Sequence, residues 1–199
     1  MSARTKQVPT IKVIIVGNSG VGKTSLVSAL FNQQFDFQPM PTVAPAYNCF
    51  EVKRDDDVVV TLQIWDTAGQ ERYHSVNQLF YRDSDVAVVC YDPTKIESFN
   101  AVAKWVECVR DEVPDAKIFL VLTKSDLYEN DDQKQFLDDA QTMSNNISAD
   151  RVFVTSSSKK TGIEAVFKSA AEISSIVPAT SSIVVGKSPE TKAESNNCC

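Results

Sequence analysis

The stretch GNSGVGKT, at residues 17–24, has the spacing of glycines and lysine that a phosphate-binding loop requires. It follows a short β-branched apolar run and precedes a stretch with apolar residues at helical spacing. Glycines let backbone N–H groups converge on phosphate oxygens, and the N-terminus of a helix favours an anion. A glycine turn with a chance lysine would not explain the strand and helix on either side. The pattern therefore predicts a nucleotide phosphate site.

Two side chains of this loop carry the expected chemistry. Lys23 supplies a positive charge to the β- and γ-phosphates, and the hydroxyl of Thr24 is a ligand for Mg²⁺. The loop residues that we expect to bind nucleotide are Gly17, Ser19, Gly20, Val21, Gly22, Lys23, Thr24 and Ser25.

A second polar cluster, DTAGQ at residues 66–70, follows another apolar run. Asp66 could hold Mg²⁺ through water, the N–H of Gly69 could approach a γ-phosphate, and Gln70 could orient an attacking water. A strand end followed by a polar turn would also account for this cluster taken alone. Its distance downstream of the phosphate loop favours the catalytic interpretation.

Apolar runs and amphipathic stretches alternate along the chain. The strands and helices that they predict are the elements that would position the phosphate loop and the DTAGQ cluster. This alternation indicates an α/β fold with a mostly parallel sheet, in which ligands bind beyond the carboxyl ends of the strands. One adjacent pair of strands is expected to form a hairpin. The predicted strands are 11–17, 46–54, 58–66, 85–92, 116–126 and 151–156, and the predicted helices are 23–35, 98–113, 132–146 and 162–177.

The composition fits one globular domain and excludes several classes of protein. The chain has 199 residues, 43% hydrophobic and 23% charged, with a net charge of −6. The acidic balance argues against nucleic acid as the main partner. Five cysteines without CxxC or Cys/His spacing argue against a disulfide or zinc framework and favour the cell interior. No apolar run is long enough to span a membrane.

The segments GNSGVGKTSLV and WDTAGQERYHS together resemble the Rab family of small GTPases in the Ras superfamily. YRDSDVAVVCYDPTKIESFNAVAKWV is also similar to Rab sequences, with a lean toward the early-endosomal branch. The resemblance implies a P-loop small GTPase fold with a six-stranded, mostly parallel sheet, one antiparallel hairpin strand and about five helices on both faces. It also implies a flexible N-terminus at 1–10, a GTP-binding domain at 11–177 and a flexible prenylated tail at 178–199.

The resemblance extends the Mg²⁺ and guanine sites. Thr42 matches the switch I threonine that coordinates Mg²⁺ and contacts the γ-phosphate, and Phe35 matches the aromatic that packs on guanine. TKSD and SSK stand where the family has N-K-x-D and S-A-K. Asp126 is then the reader of guanine, because its carboxylate can accept both N1–H and the 2-amino group. The other residues implied at the base are Thr123, Lys124, Ser157, Ser158 and Lys159.

Two departures from the family pattern have expected consequences. Thr123 replaces the family's asparagine and cannot make that amide's paired contacts to the base and the phosphate loop, so we expect weaker nucleotide retention. In switch I the family's T-I-G becomes Thr42-Val43-Ala44, followed by Pro45. Ala44 lacks the backbone freedom of glycine and Pro45 removes a donor, which should change partner recognition more than chemistry.

The resemblance also implies a partner surface and a reaction. Tyr47, Trp65 and Phe80 match the aromatic triad that presents an effector surface, although ordinary packing would also explain them. The implied reaction is slow hydrolysis of GTP to GDP, with Lys23 stabilising charge and Gln70 positioning water as the catalytic residues. No arginine in the phosphate loop or switch I is an obvious finger in cis, so an activating protein should accelerate the reaction.

The implied ligands and partners are those of a Rab cycle. GTP or GDP and Mg²⁺ would bind the cleft, and the chain would act as a monomer at the cytoplasmic face of endomembranes, with a cytosolic pool. The implied partners are an exchange factor, an activating protein, a GDP-dissociation inhibitor, a Rab escort protein with geranylgeranyl transferase, and effectors that recognise the GTP form.

Two other function classes remain open at this stage. A nucleotide-loaded scaffold that hardly cycles would fit Thr123 and the altered switch I. A P-loop kinase of small metabolites would need a lid with clustered arginines, and the arginines after the loop do not cluster: they are Arg54, Arg72, Arg82, Arg110 and Arg151.

Cys198 and Cys199 end the sequence, behind a tail rich in Ser, Thr, Lys, Glu and Asn. They resemble the double geranylgeranylation signal of Rab proteins. Lys187 and Lys192 are balanced by Glu190 and Glu194, so no polybasic patch assists membrane binding. One lipid chain binds only reversibly, and both cysteines should therefore be required.

Overall fold

The computed structural model describes residues 8–38, 40–42, 44–67, 80–128 and 130–173, with the backbone alone at 130 and 131. Within these ranges, six strands form one sheet in the order β2-β3-β1-β4-β5-β6. Among the described pairs of strands, only β2–β3 is antiparallel, and the four others are parallel. The strands are β1 Thr10–Val16, β2 Ala46–Lys53, β3 Val59–Asp66, β4 Val86–Tyr91, β5 Lys117–Leu122 and β6 Arg151–Val154.

Five helices are complete in the described ranges, and they pack on both sides of the sheet. They are α1 Lys23–Leu30, α2 Ile96–Asn100, α3 Val102–Glu112, α4 Asn130–Asn146 and α5 Ile163–Ala171. The mixed sheet and the helices agree with the predicted fold class.

The central strands are buried on both faces, which explains why their sequences are continuously apolar. In β4, Val86, Val88 and Cys90 join one hydrophobic cluster together with residues of α1 and α5. Ala87, Val89 and Tyr91 join a second cluster with residues of α3. The edge strand β2, in contrast, alternates between exposed and half-buried residues. This two-sided core fixes β1 and β4 side by side under the phosphate loop.

The structure corrects two predicted helices. The first helix ends at Leu30 rather than continuing to residue 35, because Asn32 takes a left-handed conformation with φ of 56°. The predicted helix 98–113 is two helices, α2 and α3, that meet at Ala101. The last predicted helix is described only as α5, and its residues after 173 lie outside the described part. None of the helices described in this structure is long and apolar enough to cross a membrane.

Candidate functional site

A cleft of about 400 Å³ opens at the edge of the sheet where the parallel strands end. It brings together residues from the phosphate loop, from the segment after α1 and from the loops that follow β5 and β6. Its lining comprises Ser19, Gly20, Gly22, Lys23, Thr24, Ser25, Phe35, Asp36, Phe37, Met40, Pro41, Thr42, Thr123, Lys124, Asp126, Leu127, Ser157 and Ser158. Most of the predicted site residues thus share one cavity.

The phosphate loop takes the backbone path that its glycines predict. Gly17, Gly20 and Gly22 have φ of 136°, 75° and 103°, a region that residues with side chains rarely adopt. A Cβ on Gly17 would lie 2.1 Å from the backbone oxygen of Cys90, so only glycine fits against β4 there. Gly17 and Val21 shape the loop but do not line the cleft.

Lys23 is 5% exposed at the first position of α1. Its ammonium donates to the backbone oxygens of Gly17 at 2.8 Å and Asn18 at 3.0 Å. These two bonds fold the side chain back along the loop toward the concave side of the cleft. A phosphate oxygen placed in the cleft can meet a positive charge that is already held in position.

The three residues predicted to serve Mg²⁺ meet at one point. The hydroxyl of Thr24 donates to Asp66 Oδ2 at 2.6 Å and lies 2.6 Å from the hydroxyl of Thr42. Thr24 is the second residue of α1, Asp66 ends β3 and Thr42 comes from the segment after α1. Three separate parts of the chain therefore deliver oxygen ligands to a single site.

Asp66 carries a buried oxygen that has no partner in the described part of the protein. Its side chain is 1% exposed, and Oδ1 makes no hydrogen bond there. Burial raises the pKa of this carboxyl, against the hydrogen bond from Thr24 and the charge of Lys23, which lower it. A hydrated divalent cation would provide the missing partner for the buried oxygen through one of its waters and would favour the ionised form. The oxygen donors present fit Mg²⁺.

Asp126 is held by the loop after β6. Its Oδ1 accepts a hydrogen bond from the hydroxyl of Ser156, which also contacts Ser158 Oγ at 3.1 Å and accepts from the backbone N–H of Lys159 at 3.1 Å. Burial acts to raise the pKa of Asp126, but hydrogen bonds from Ser156 and Ser158 and the charge of Lys159 outweigh it, so the pKa lies below its usual value. Asp126 therefore presents a fixed, charged acceptor to the cleft.

This geometry corrects the predicted register of the SSK segment. Ser156, which the sequence reasoning missed, is the serine that orients Asp126. Ser157 and Ser158 line the cleft. Lys159 does not line it, and its backbone N–H donates to the hydroxyl of Ser156. Because three serines follow one another, the sequence does not show which of them matches the serine of S-A-K. The hydrogen bond to Asp126 identifies it as Ser156.

The position of Thr123 corrects one part of the prediction that it makes neither of the asparagine's two contacts. Its hydroxyl donates to the backbone oxygens of Val21 at 2.6 Å and Tyr91 at 2.9 Å, and the residue is 3% exposed. Threonine therefore does reach the phosphate loop, although it offers no amide that could also contact a base. The hydroxyl of Thr123 thus replaces the asparagine's contact to the phosphate loop but not its contact to the base.

Lys124 and Asp92 form a second tie to the phosphate loop. Lys124 Nζ donates to the backbone oxygen of Gly20 at 2.8 Å and lies 2.9 Å from Asp92 Oδ2. The Asp92 side chain is 1% exposed, and its Oδ1 also accepts from the backbone N–H and hydroxyl of Thr94. The sequence analysis predicted Lys124 at this site but missed Asp92. The only feature of the sequence that could have indicated Asp92 is its position directly after a buried strand.

Two aromatic predictions concern surfaces near the cleft. Phe35 lines it and packs edge-on against Phe37, with ring centroids 5.0 Å apart. Trp65 contacts both other members of the predicted triad, with its ring centroid 4.9 Å from that of Tyr47 and 5.4 Å from that of Phe80. The three rings therefore form one contacting group. Its role in partner binding stays a prediction.

Four predicted functional residues lie outside the described ranges. They are Gly69, Gln70, Cys198 and Cys199.

Comparison with known proteins identifies the family to which the chain belongs. The sequence matches the Ras family profile over residues 12–175. It is 33% identical over 172 residues to the Ypt/Rab-type GTPase YPT7 of Saccharomyces cerevisiae, which covers 84% of this chain and 82% of that protein. It is 32% identical over 203 residues to Rab-24 of Dictyostelium discoideum, covering 98% and 100% of the two chains.

Higher identity is confined to a shorter segment. The chain is 45% identical over 108 residues to Rab-7a of Dictyostelium discoideum, a match that covers 54% of this chain and 51% of that protein. The predicted lean toward the early-endosomal branch is only slight, because the relatives include Rab-7a, YPT7 and Rab-24. The profile match and the relatives agree on the class of protein, and the chain belongs to the Ras family, as a Rab-type small GTPase, a class of enzymes that hydrolyse GTP.

Proposed function

We propose that this protein is a Mg²⁺-dependent switch that binds GTP in the cleft, hydrolyses it slowly and regulates vesicle traffic at endomembranes. The observation that carries the proposal is the convergence of Lys23, Thr24, Thr42 and Asp66 on one end of a cavity that also contains Asp126. The ammonium and the oxygen donors of the first four can bind phosphates and a cation, and the carboxylate of Asp126 can bind a base.

Asp126 supports the choice of guanine over adenine. Because its pKa is low, the carboxylate is ionised at neutral pH and acts only as an acceptor. Guanine offers two adjacent donors, N1–H and the 2-amino group, whereas adenine offers no such pair. Phe35 and Leu127 line the same cleft and supply apolar surface for a flat base.

Thr24, Thr42 and Asp66 are the residues that would hold Mg²⁺. The bound ion would neutralise charge on the phosphates of GTP. Thr24 and Thr42 offer hydroxyl oxygens directly, and Asp66 offers the buried Oδ1 through water. Thr42 thereby links the segment after α1 to the state of the nucleotide.

The remaining chemistry falls to Lys23 and Gln70. Lys23 stabilises negative charge on the transferred phosphoryl group, and Gln70 orients the attacking water. No arginine lines the cleft among residues whose positions are described. The intrinsic rate is therefore slow, and an activating protein that supplies an arginine accelerates it by about 10³- to 10⁵-fold.

Loss of the γ-phosphate makes the reaction a switch. Thr42 and Gly69 hold their segments in the GTP form and release them after hydrolysis. Effectors distinguish the two forms at the surface of Tyr47, Trp65 and Phe80, while an exchange factor replaces GDP by GTP. Ala44 and Pro45, which differ from the family pattern, change which partners recognise the GTP form.

Cys198 and Cys199 complete the proposal as lipid attachment sites. A Rab escort protein with geranylgeranyl transferase would add two prenyl chains, and a GDP-dissociation inhibitor would extract the protein from the membrane. Endosomal membranes are the proposed location, because the relatives include Rab-7a and YPT7.

Single-turnover hydrolysis of GTP tests the proposal. The protein is loaded with GTP and released phosphate is followed, with and without the catalytic domain of a Rab-activating protein. We expect a slow intrinsic rate, a large acceleration by the activating domain and loss of that acceleration in Gln70→Leu. A scaffold that does not cycle would show no acceleration, and a small-metabolite kinase would favour ATP over GTP in a binding competition.

A further inference from the structure

We propose that Trp105 is a positioning residue for the phosphate loop and sets how long the protein retains its nucleotide. The indole Nε1 of Trp105 donates to the side-chain oxygen Oδ1 of Asn18 at 2.7 Å. The two residues are 87 positions apart in sequence. This inference rests on the proposed nucleotide site and deepens it.

Trp105 is well placed to act as a rigid anchor. It lies on α3, is 3% exposed and belongs to the hydrophobic cluster that contains Val16 and Tyr91. Val16 is the last residue of β1 before the loop begins. The indole is therefore fixed by the same core that fixes the start of the loop.

Asn18 passes this constraint to the charged group of the site. Its side chain accepts from Trp105, while its backbone oxygen accepts from Lys23 Nζ at 3.0 Å. Asn18 is half-buried and does not line the cleft, so it orients the loop rather than touching the ligand. The bond from α3 thus fixes the carbonyl that helps to aim the Lys23 ammonium.

The other ties to the loop come from different elements. Thr123 holds the backbone oxygen of Val21, and Lys124 holds that of Gly20, both from the segment after β5. Trp105 anchors the opposite, N-terminal half of the loop from a helix. Its loss would leave Asn18 free to rotate while the later half stays fixed.

Trp105→Phe removes the N–H and keeps an aromatic ring, and it is tested by the rate of mant-GDP release from the full chain in the presence of Mg²⁺. Removing one buried hydrogen bond should raise this rate constant by about 3- to 10-fold. Val109→Ala is the matched control, because Val109 is also buried on α3 and its side chain has no polar atom that could bond to the loop. We expect the control to lower thermal stability without changing the release rate.

A double-mutant cycle with Asn18→Ala separates positioning from general damage to the core. If the indole acts through Asn18, the double variant should release mant-GDP no faster than the faster of the two single variants. Additive effects, or a release rate in Trp105→Phe equal to that of Val109→Ala, would overturn the inference.

Spectroscopy reads out the bond independently of hydrolysis. In a ¹⁵N NMR spectrum of the GDP-loaded protein, the indole N–H signal assigned through Trp105→Phe should shift in Asn18→Ala and keep its position in Val109→Ala. An unshifted signal in Asn18→Ala would contradict the bond. Failure of the wild-type chain to bind mant-GDP would instead refute the proposed function, whatever the indole signal shows.

Discussion

The hydroxyl of Thr123 lies 2.6 Å from the backbone oxygen of Val21, to which it donates a hydrogen bond. This contact joins the segment after β5 to the middle of the phosphate loop, across 102 positions of sequence. Together with the bond from Lys124 to the backbone oxygen of Gly20, it fixes the segment that carries the predicted base-reading residues relative to the phosphate loop.

Removing this hydroxyl should loosen nucleotide binding. Thr123→Val keeps the shape of the side chain but removes the hydroxyl that donates to the backbone oxygen of Val21, whereas the backbone oxygen of Tyr91 still accepts from the backbone N–H of residue 123. We expect mant-GDP release to accelerate by about 3- to 10-fold. Thr155→Val is the control, since Thr155 is equally buried and donates to the backbone oxygen of Leu122. Thr123→Asn should slow the release of mant-GDP, because asparagine adds an amide contact to the base. If the wild-type protein already releases mant-GDP as slowly as other Rab proteins do, the predicted weaker nucleotide retention is wrong.

The contrast between Thr123 and Trp105 shows what the sequence could predict. The phosphate loop and Asp66 were predictable because each belongs to a short motif whose chemistry is local, and Asp126 was predictable through the family resemblance. The bonds from Trp105 to Asn18 and from Asp92 to Lys124 were not, because each depends on how two distant elements pack.

The same distinction holds for the fold. Continuous apolar runs predicted the buried strands, since burial on both faces requires them. The end of α1 depends on the left-handed conformation of Asn32, and the break at Ala101 carries no proline or glycine to announce it. The order of the three serines could be assigned only once Asp126 was seen to bond to Ser156.

Asp66 should control the response to Mg²⁺. Asp66→Asn removes the negative charge of the buried carboxylate and should weaken Mg²⁺ binding by about 10- to 100-fold, as expected for a group that acts through water. Chelating Mg²⁺ with EDTA should accelerate mant-GDP release strongly in the wild type and only slightly in the variant. Asp85→Asn is the control: Asp85 is 2% exposed but bonds to the backbone N–H of Lys12, away from the cleft. Equal EDTA responses in wild type and Asp66→Asn would refute the assignment.

Ser156 should set the acid limit of guanine binding. Ser156→Ala removes a hydrogen bond that lowers the Asp126 pKa, so this pKa should rise. Binding needs the carboxylate, which protonates as pH falls; the variant should therefore lose affinity for mant-GDP at a higher pH than the wild type. At neutral pH we expect a loss of about 3- to 10-fold. Ser169→Ala, which removes a buried hydroxyl bonded to Arg151, should leave both affinity and its pH profile unchanged.

Both terminal cysteines should be needed at the membrane. Cys199→Ser leaves one attachment site, and one lipid chain gives only marginal binding without basic residues nearby. We expect most of the variant in the cytosolic fraction after cell fractionation, whereas Cys108→Ser, on α3, should fractionate like the wild type. Undiminished membrane recovery of Cys199→Ser would contradict the two-chain requirement.

The central claim, that Asp126 makes this cleft a guanine site, is tested most directly by exchanging its carboxylate for an amide. Asparagine offers one acceptor and one donor, which suit N1–H and the 2-carbonyl of xanthine in place of the two donors of guanine. Displacement of a mant-labelled nucleotide by GDP, ADP and xanthosine diphosphate should show a preference for GDP in the wild type and for xanthosine diphosphate in Asp126→Asn, with ADP weak in both. A wild type displaced equally well by ADP, or an Asp126→Asn variant that keeps its preference for GDP, would contradict the account.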